Sequence, residues 1–388
     1  MKNLVSRQVS KNVFIVYVYV LSSFCILLNP VIDGLKYLDE AIVLFLALCA
    51  TRRLSLVLCR EARIVFLVLC GYLLYSLIIE SNIFQAILLD FILFLKPFIC
   101  FYVVYSYDTQ MPLSFKKKLC RLYKYIGVIL WCILPFINDV YANTTSYYVG
   151  CISCAISYIF FSQRTKSDWI IAILMLVPGL ASLRSKFMAE LCCIVYIFIF
   201  LKNRIRLNVK YAIILAMLIA VSIYVNYTKF SAYFITGYDD GYARTIFYVK
   251  SFDLYKEYFP FGTGLGSFGT EAAAKYYSPF YHKLGMDCFY GLTPDDYGTY
   301  TDFLHDTFYP VLAEFGCLGL FFYFLFWRRL CNKANMLDFQ AYKIFVSIFF
   351  IISIENIASN SFTDARSVEY MMLLGMLLKE ANNETVRT

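Results

Sequence analysis

Charge is what this 388-residue sequence has least of: Asp, Glu, Lys and Arg together make up 16% of it, where a soluble globular chain carries roughly a quarter. Histidine is scarcer still. There are two, His282 and His305, and two separated histidines with one loop cysteine supply no plausible ligand cluster, so no metal site is expected. The 14 cysteines lie almost entirely in apolar runs and basic loops, Cys288 being the one within 227–304, which excludes a disulfide framework. No internal repeat and no low-complexity tract can be found. The basic residues that give the net charge of +8 form no single stripe or domain, which argues against a nucleic-acid partner. Behind the basic, then apolar start MKNLVSRQVSKNVFIVYVYV there is no small-residue cleavage site, so a retained first helix is expected.

What is present in quantity is apolar surface, 61% of residues with a mean hydropathy of +0.64. It is gathered into runs that match the roughly twenty residues needed to cross a hydrocarbon core as helix. Candidate spans fall at 13–29, 33–50, 63–79, 85–106, 123–138, 144–162, 168–184, 185–202, 209–226, 305–327, 343–359 and 366–379. The expected fold is therefore an all-α polytopic membrane protein of about twelve transmembrane helices. An N-terminal bundle of about nine helices fills 1–226, a long loop with an amphipathic helix at 243–258 fills 227–304, and about three helices fill 305–388.

Alternate connections are basic, and together with the ends they hold 24 of the 35 Lys and Arg. By the positive-inside bias that side is the cytoplasm, with both termini on it and the 227–304 loop outside. The exceptions then become informative. Arg184, Arg244 and Arg366 oppose the insertion bias, and a guanidinium is well shaped to hold a phosphate. Lys186 accompanies Arg184 but has Glu190 at i+4 as a ready partner, and Arg366 has Asp364. Within the spans, Asp90 and Lys96 are too far apart around one helix to pair, so each needs a partner elsewhere; Asp39 and Glu40 lie near the outer end of the second span.

His305 stands where the long loop enters the tenth span, at a boundary where an imidazole can take a proton from a hydroxyl near neutral pH. Asp302 and Asp306 are close enough in sequence to orient it. Glu314, nine residues on, falls on the opposite face of a continuous helix, unless Pro310 bends it. Residues 264–269, GLGSFG, match a dinucleotide-binding pattern, but no strand-turn-helix unit surrounds them and a nucleotide site is rejected.

In order along the chain, SLRSKF with Arg184, then Arg244 ahead of PFGTGLGSF, then His305-Asp306-Thr307 leading to Glu314-Phe315-Gly316 and Gly319 resemble the O-antigen polymerase and O-antigen ligase superfamily of bacterial envelope proteins. The segments LKYLDE and FLKPF are similar to pieces of polymerase relatives, while Asp306 stands where Asn is common. The resemblance implies a GT-C-like fold and a lipid-linked glycosyltransferase of the inner membrane, independent of metal, nucleotide and cofactor. Its donor would be an oligosaccharide on undecaprenyl diphosphate, its partners membrane lipid and a chain-length regulator protein. His305 would be the catalytic base, Arg184, Arg244 and Arg366 the diphosphate-binding residues, and Asp302, Asp306, Glu314 and Lys186 their support. Polymerisation of O-antigen, capsular or exopolysaccharide repeat units is the leading expectation. Ligation of finished polymer to lipid A core and polysaccharide export by a flippase or transporter are the alternatives.

Overall fold

The computed structural model describes residues 2–28, 38–51, 60–107, 111–140, 144–205, 241–289, 291–296, 308–359 and 361–385, with isolated positions at 217, 227, 231 and 237. The expected span 209–226 lies almost wholly outside the described residues, as do Asp302, His305 and Asp306.

All regular structure among the described residues is helical. The principal helices are α1 (Lys2–Leu28), α2 (Leu38–Thr51), α3 (Arg60–Ile78), α4 (Phe84–Ser106), α5 (Leu113–Ile133), α6 (Thr144–Phe161), α7 (Lys166–Leu176), α8 (Ser185–Val195), α9 (Ala243–Glu257), α10 (Phe308–Ala313), α11 (Gly316–Ala334), α12 (Phe339–Ala358) and α13 (Ala365–Thr385). Four of the described helices are long and apolar enough to cross a membrane, at Glu61–Ile78, Phe84–Ser106, Leu113–Phe136 and Phe339–Ile357; Val13–Leu28 and Thr145–Phe161 are shorter apolar helices. The outward faces agree. On α3, Leu67, Leu74 and Ile78 recur on one side, and Ile78 is 81% exposed. In water that stripe would be costly, whereas lipid is a good solvent for it. The protein is an all-α membrane protein.

The core forms where α4, α6 and α13 meet their neighbours. α13 lies along α4 so closely that a Cβ on Gly375 would stand 2.8 Å from the Phe101 carbonyl oxygen. α6 packs on α1, α5 and α7. Lys96, buried in α4, donates to Asp39 of α2 at 2.7 Å and to Glu40 at 3.4 Å, which supplies the partner that its own helix could not.

The basic loops gather at one end of the bundle. Lys333 at the end of α11 pairs with Glu61 at the start of α3 (3.2 Å), and Lys116 of α5 with Glu380 of α13 (2.7 Å). Arg164, between α6 and α7, pairs with Asp338 and Glu380 (3.2 Å each). This grouping matches the alternation of the loops read from their charge.

Three helical stretches differ from the spacing-based expectation. α5 begins at Leu113, ten residues before the expected span, because the Lys-rich segment 116–124 continues the helix. The two tightly spaced spans around Arg184 are short helices: α7 tightens into a 3-10 turn at Val177–Ser182, and the chain reverses at Leu183, which has φ 51°. The tenth span is broken at Glu314-Phe315, between α10 and α11. Glu314 itself sits in this break, and its expected position opposite His305 lies outside the described residues.

The expected helix at 243–258 is present as α9. It buries Phe247, Ser251 and Leu254 on one side, and Ile246, Phe247 and Leu254 join Phe268, Tyr281, Met286, Leu292 and Ala313 in a separate small core. Two single-turn helices, Glu271–Lys275 and Pro279–Lys283, close around it, and burial raises the pKa of the Tyr281 hydroxyl, which accepts from the Gly269 N–H. The described part of the long segment is therefore a packed unit with a hydrophobic interior of its own.

Candidate functional site

At the end of the bundle away from the basic loops, three helix ends converge on Glu355. Lys186, in the first turn of α8, donates to its Oε2 at 2.7 Å. Arg366, in the first turn of α13, donates to the same oxygen through Nη1 and also grips Asp364 through Nε at 2.6 Å. Tyr148 of α6 donates to Oε1 at 3.1 Å, and Ser359 to Oε2 at 2.8 Å. Glu355 is 1% exposed. At such burial a carboxylate persists only when charge and hydrogen bonds compensate the lost water, and this one has both.

Local spacing suggested that Lys186 pairs with Glu190; it reaches Glu355 instead. Glu190 is wholly buried and neither of its oxygens meets a donor among the described residues. The expected Arg366–Asp364 contact is present. Arg184, at the boundary before α8, is exposed and its side chain has no partner among the described residues. A phosphate could therefore take Arg184 without breaking an existing pair, whereas Lys186 and Arg366 already carry compensated charge. Arg244 is half-buried on α9, one turn before Tyr248, whose hydroxyl donates to the Ile357 carbonyl at 3.0 Å. That bond ties the face of α9 bearing Arg244 to the end of α12 bearing Glu355. α9 also packs against α10, whose first residue, Phe308, follows His305 by three positions.

Beside this cluster an apolar groove runs between α3, α4 and α11. Leu69, Phe94, Phe98, Phe315 and Tyr323 line it, together with Phe362, two residues from Asp364.

The glycine-rich stretch 262–269 is wedged between the tips of α3 and α4 and the α10–α11 break. Three of its N–H groups are taken by the protein's own carboxyls, Gly266 donating to Asp90 Oδ2 at 2.7 Å and Ser267 and Phe268 to Glu314 Oε1 at 2.7 and 2.8 Å, and the rest by backbone carbonyls and hydroxyls. Its carbonyls are met by the Tyr75 hydroxyl at Gly262, Ser81 at Leu265 and Asn82 at Gly266. With its donors so occupied, this loop has no room for a phosphate, which agrees with rejecting a nucleotide site. Glu314 is thus a clamp on the loop. Asp90 Oδ1 and Glu314 Oε2 accept from no donor among the described residues and the two carboxyls interact with each other, an arrangement that one shared proton satisfies. Glu314→Gln is accordingly expected to be well tolerated, costing about 1 kcal/mol or less: its amide oxygen still accepts both N–H groups and its NH2 donates to Asp90. Thermal unfolding in detergent checks this, and a drop comparable to that of Glu314→Leu would show that the pair needs charge.

Sequence reasoning missed two buried carboxylates. Glu355 had a usable signal, an acid at the end of an apolar run next to a span that starts with Arg366. Glu369, in α13, accepts from Ser153 (2.6 Å), Tyr19 (3.3 Å) and Ser157 (3.3 Å). Asp90 was recognised as needing a partner, but nothing local indicated which. Among the described residues no group of His, Cys, Asp and Glu is arranged to hold a metal ion. No family model matches this chain, and no characterised protein matches it in sequence.

Proposed function

We propose that the chain is a lipid-linked glycosyltransferase that polymerises saccharide repeat units at the outer face of the bacterial inner membrane, making about twelve crossings with both termini in the cytoplasm. The observation that carries this reading is the convergence of Lys186 and Arg366 on Glu355, with Arg184 two residues before Lys186 and the Arg244-bearing helix tied to the same end, opposite the basic loops. Cations there act against the insertion bias, and an anionic diphosphate is a reason to keep them. The apolar groove beside Phe362 suits a polyprenyl chain.

In this mechanism an acceptor hydroxyl attacks the anomeric carbon of the donor. The new C–O bond forms as the bond to the diphosphate breaks, the diphosphate leaves with the electron pair, and His305 takes the hydroxyl proton. Arg184 and Arg244 stabilise the charge growing on the leaving group, while Glu355 and Asp364 fix Arg366 and Lys186 beside it. Asp302 and Asp306 orient the imidazole.

Purified protein given a lipid-linked repeat unit is expected to extend it into a ladder. His305→Ala and Arg244→Ala should abolish the ladder, and Arg184→Ala should slow it by about a hundredfold or more without lowering the melting temperature. Full ladders from His305→Ala and Arg244→Ala would sink the assignment. In cells, accumulated single repeats on deletion mark a polymerase, whereas unlinked polymer marks a ligase acting on lipid A core. The hydroxyl-lined Glu369, buried between α1, α6 and α13, favours a second reading as a proton-coupled exporter. That reading requires Glu369-dependent transport and no new glycosidic bond.

A further inference from the structure

At the basic end of the bundle a cavity of about 810 Å³ opens between the start of α5, the end of α6, the α6–α7 turn and the end of α13. Five cations line it, Lys116, Lys117, Arg121, Lys124 and Arg164, against two carboxylates, Asp168 and Glu380. Both carboxylates are already engaged. Glu380 holds Lys116 at 2.7 Å and Arg164 at 3.2 Å. Asp168 accepts from the Thr165 N–H at 2.9 Å, the Thr165 hydroxyl at 2.8 Å and the Tyr158 hydroxyl at 3.0 Å.

Lys117, Arg121 and Lys124 are left with no ion-pair partner among the described residues. At i, i+4 and i+7 they form one stripe of α5 along the cavity wall. Arg164, by contrast, is held within the wall. Its terminal nitrogens are used, by Asp338 and Glu380, but its Nε–H is buried and meets no acceptor among the described residues. Three exposed cations without an ion-pair partner, along a cavity whose two carboxylates are both engaged, leave a net positive wall that suits an anion.

The remaining wall narrows the choice. Met111, Leu113 and Phe161 contribute apolar surface, and α5 runs from here into a segment apolar enough to cross the bilayer. The geometry points to a binding site for a phosphate group, held by Lys117, Arg121 and Lys124, that takes the headgroup of an anionic phospholipid. This site is separate from the Glu355 cluster: Tyr148 of α6 touches Glu355 and Tyr158 lines the cavity, and ten residues of helix are about 15 Å. It does not rest on the glycosyltransferase reading.

Purified protein in bilayer nanodiscs of phosphatidylcholine alone, or with added phosphatidylglycerol, tests it. Phosphatidylglycerol should raise the melting temperature of the native chain and be retained in native mass spectra. The triple variant K117Q/R121Q/K124Q should lose that stabilisation and bind the lipid on the order of a hundredfold more weakly. A control removing equal charge outside the cavity, K118Q/K202Q/R328Q, should keep both. If inorganic phosphate or pyrophosphate with phosphatidylcholine alone reproduces the stabilisation, the anion site stands and its occupant is a soluble phosphate. Equal loss in the two triple variants, or loss in neither, overturns the site, since the effect would then be diffuse surface charge.

Discussion

Glu355→Ala is expected to destabilise the detergent-solubilised protein by about 3–5 kcal/mol, the usual penalty for leaving a buried charge unpaired. The substitution removes the carboxylate that both cations share: Lys186 keeps the Ser359 hydroxyl and the face of the Tyr148 ring, and Arg366 keeps Asp364. It also removes the acceptor of Tyr148. The magnitude follows from the stranded charge more than from the lost contacts, and this can be separated experimentally. Adding Lys186→Met to Glu355→Leu discards one cation with the anion and leaves Arg366 balanced by Asp364, so the double variant should be more stable than Glu355→Leu alone. Chemical or thermal unfolding of the native chain, Glu355→Leu, Lys186→Met and the double variant measures the coupling directly. Additive losses would show that Lys186 and Glu355 do not depend on each other, against the 2.7 Å contact between them.

Gly316→Ala is the second substitution with a large expected effect. Gly316 has φ +56°, where an L side chain costs about 1–2 kcal/mol. A Cβ there would also stand 2.4 Å from the Pro260 oxygen and 2.7 Å from the Gly262 nitrogen. Both are backbone atoms, so relief requires moving the glycine-rich stretch off its seat. Gly262→Ala meets the same obstacle from the other side, 2.5 Å from the carbonyl oxygens of Ala313 and Glu314. Each change should cost about 3 kcal/mol or more, and the early sign should be faster protease cleavage within 241–296 while the helices stay assembled. Gly71, in the interior of α3, is the control. Nothing lies within 4 Å of a Cβ there, so Gly71→Ala should be neutral or stabilising by up to about 1 kcal/mol. Unchanged proteolysis in Gly316→Ala would mean that the loop does not seat against the α10–α11 break.

Helix positions were legible wherever an apolar run had a clear polar end. Residues 85–106 and 144–162 became Phe84–Ser106 and Thr144–Phe161, since a span in lipid satisfies its backbone internally and its length is set by the bilayer. The break at Glu314-Phe315 was not legible. It depends on Gly316 adopting positive φ against a loop more than fifty residues earlier, while the local sequence reads as one continuous apolar helix. The same distinction divides the candidate site. Sidedness set apart eleven Lys and Arg, of which Arg184, Arg244 and Arg366 stood out because a guanidinium suits a phosphate, and Lys186 by its place beside Arg184. The local Arg366–Asp364 pair could be read from spacing as well, but partners across the bundle could not, because they are set by helix packing: spacing along α8 favoured Glu190 for Lys186, and packing supplied Glu355. Asp90 shows the limit plainly. Its need for a partner was evident from burial in a span, yet its partners are a backbone N–H in a loop and a carboxyl, neither of which advertises itself as a counterpart.

The clasp of Asp90 and Glu314 around the glycine-rich loop also sets an order of events during synthesis. Asp39 precedes Lys96, so that pair can close as soon as α4 emerges from the ribosome. Asp90 has no such partner. Gly266 and Glu314 are made roughly 175 and 225 residues later, which at bacterial-to-eukaryotic elongation rates is a wait on the order of 10–45 s. Throughout that interval α4 carries a carboxyl with nothing to satisfy it, so the helix must either hold a proton there or linger near the insertion machinery until the second half of the chain arrives.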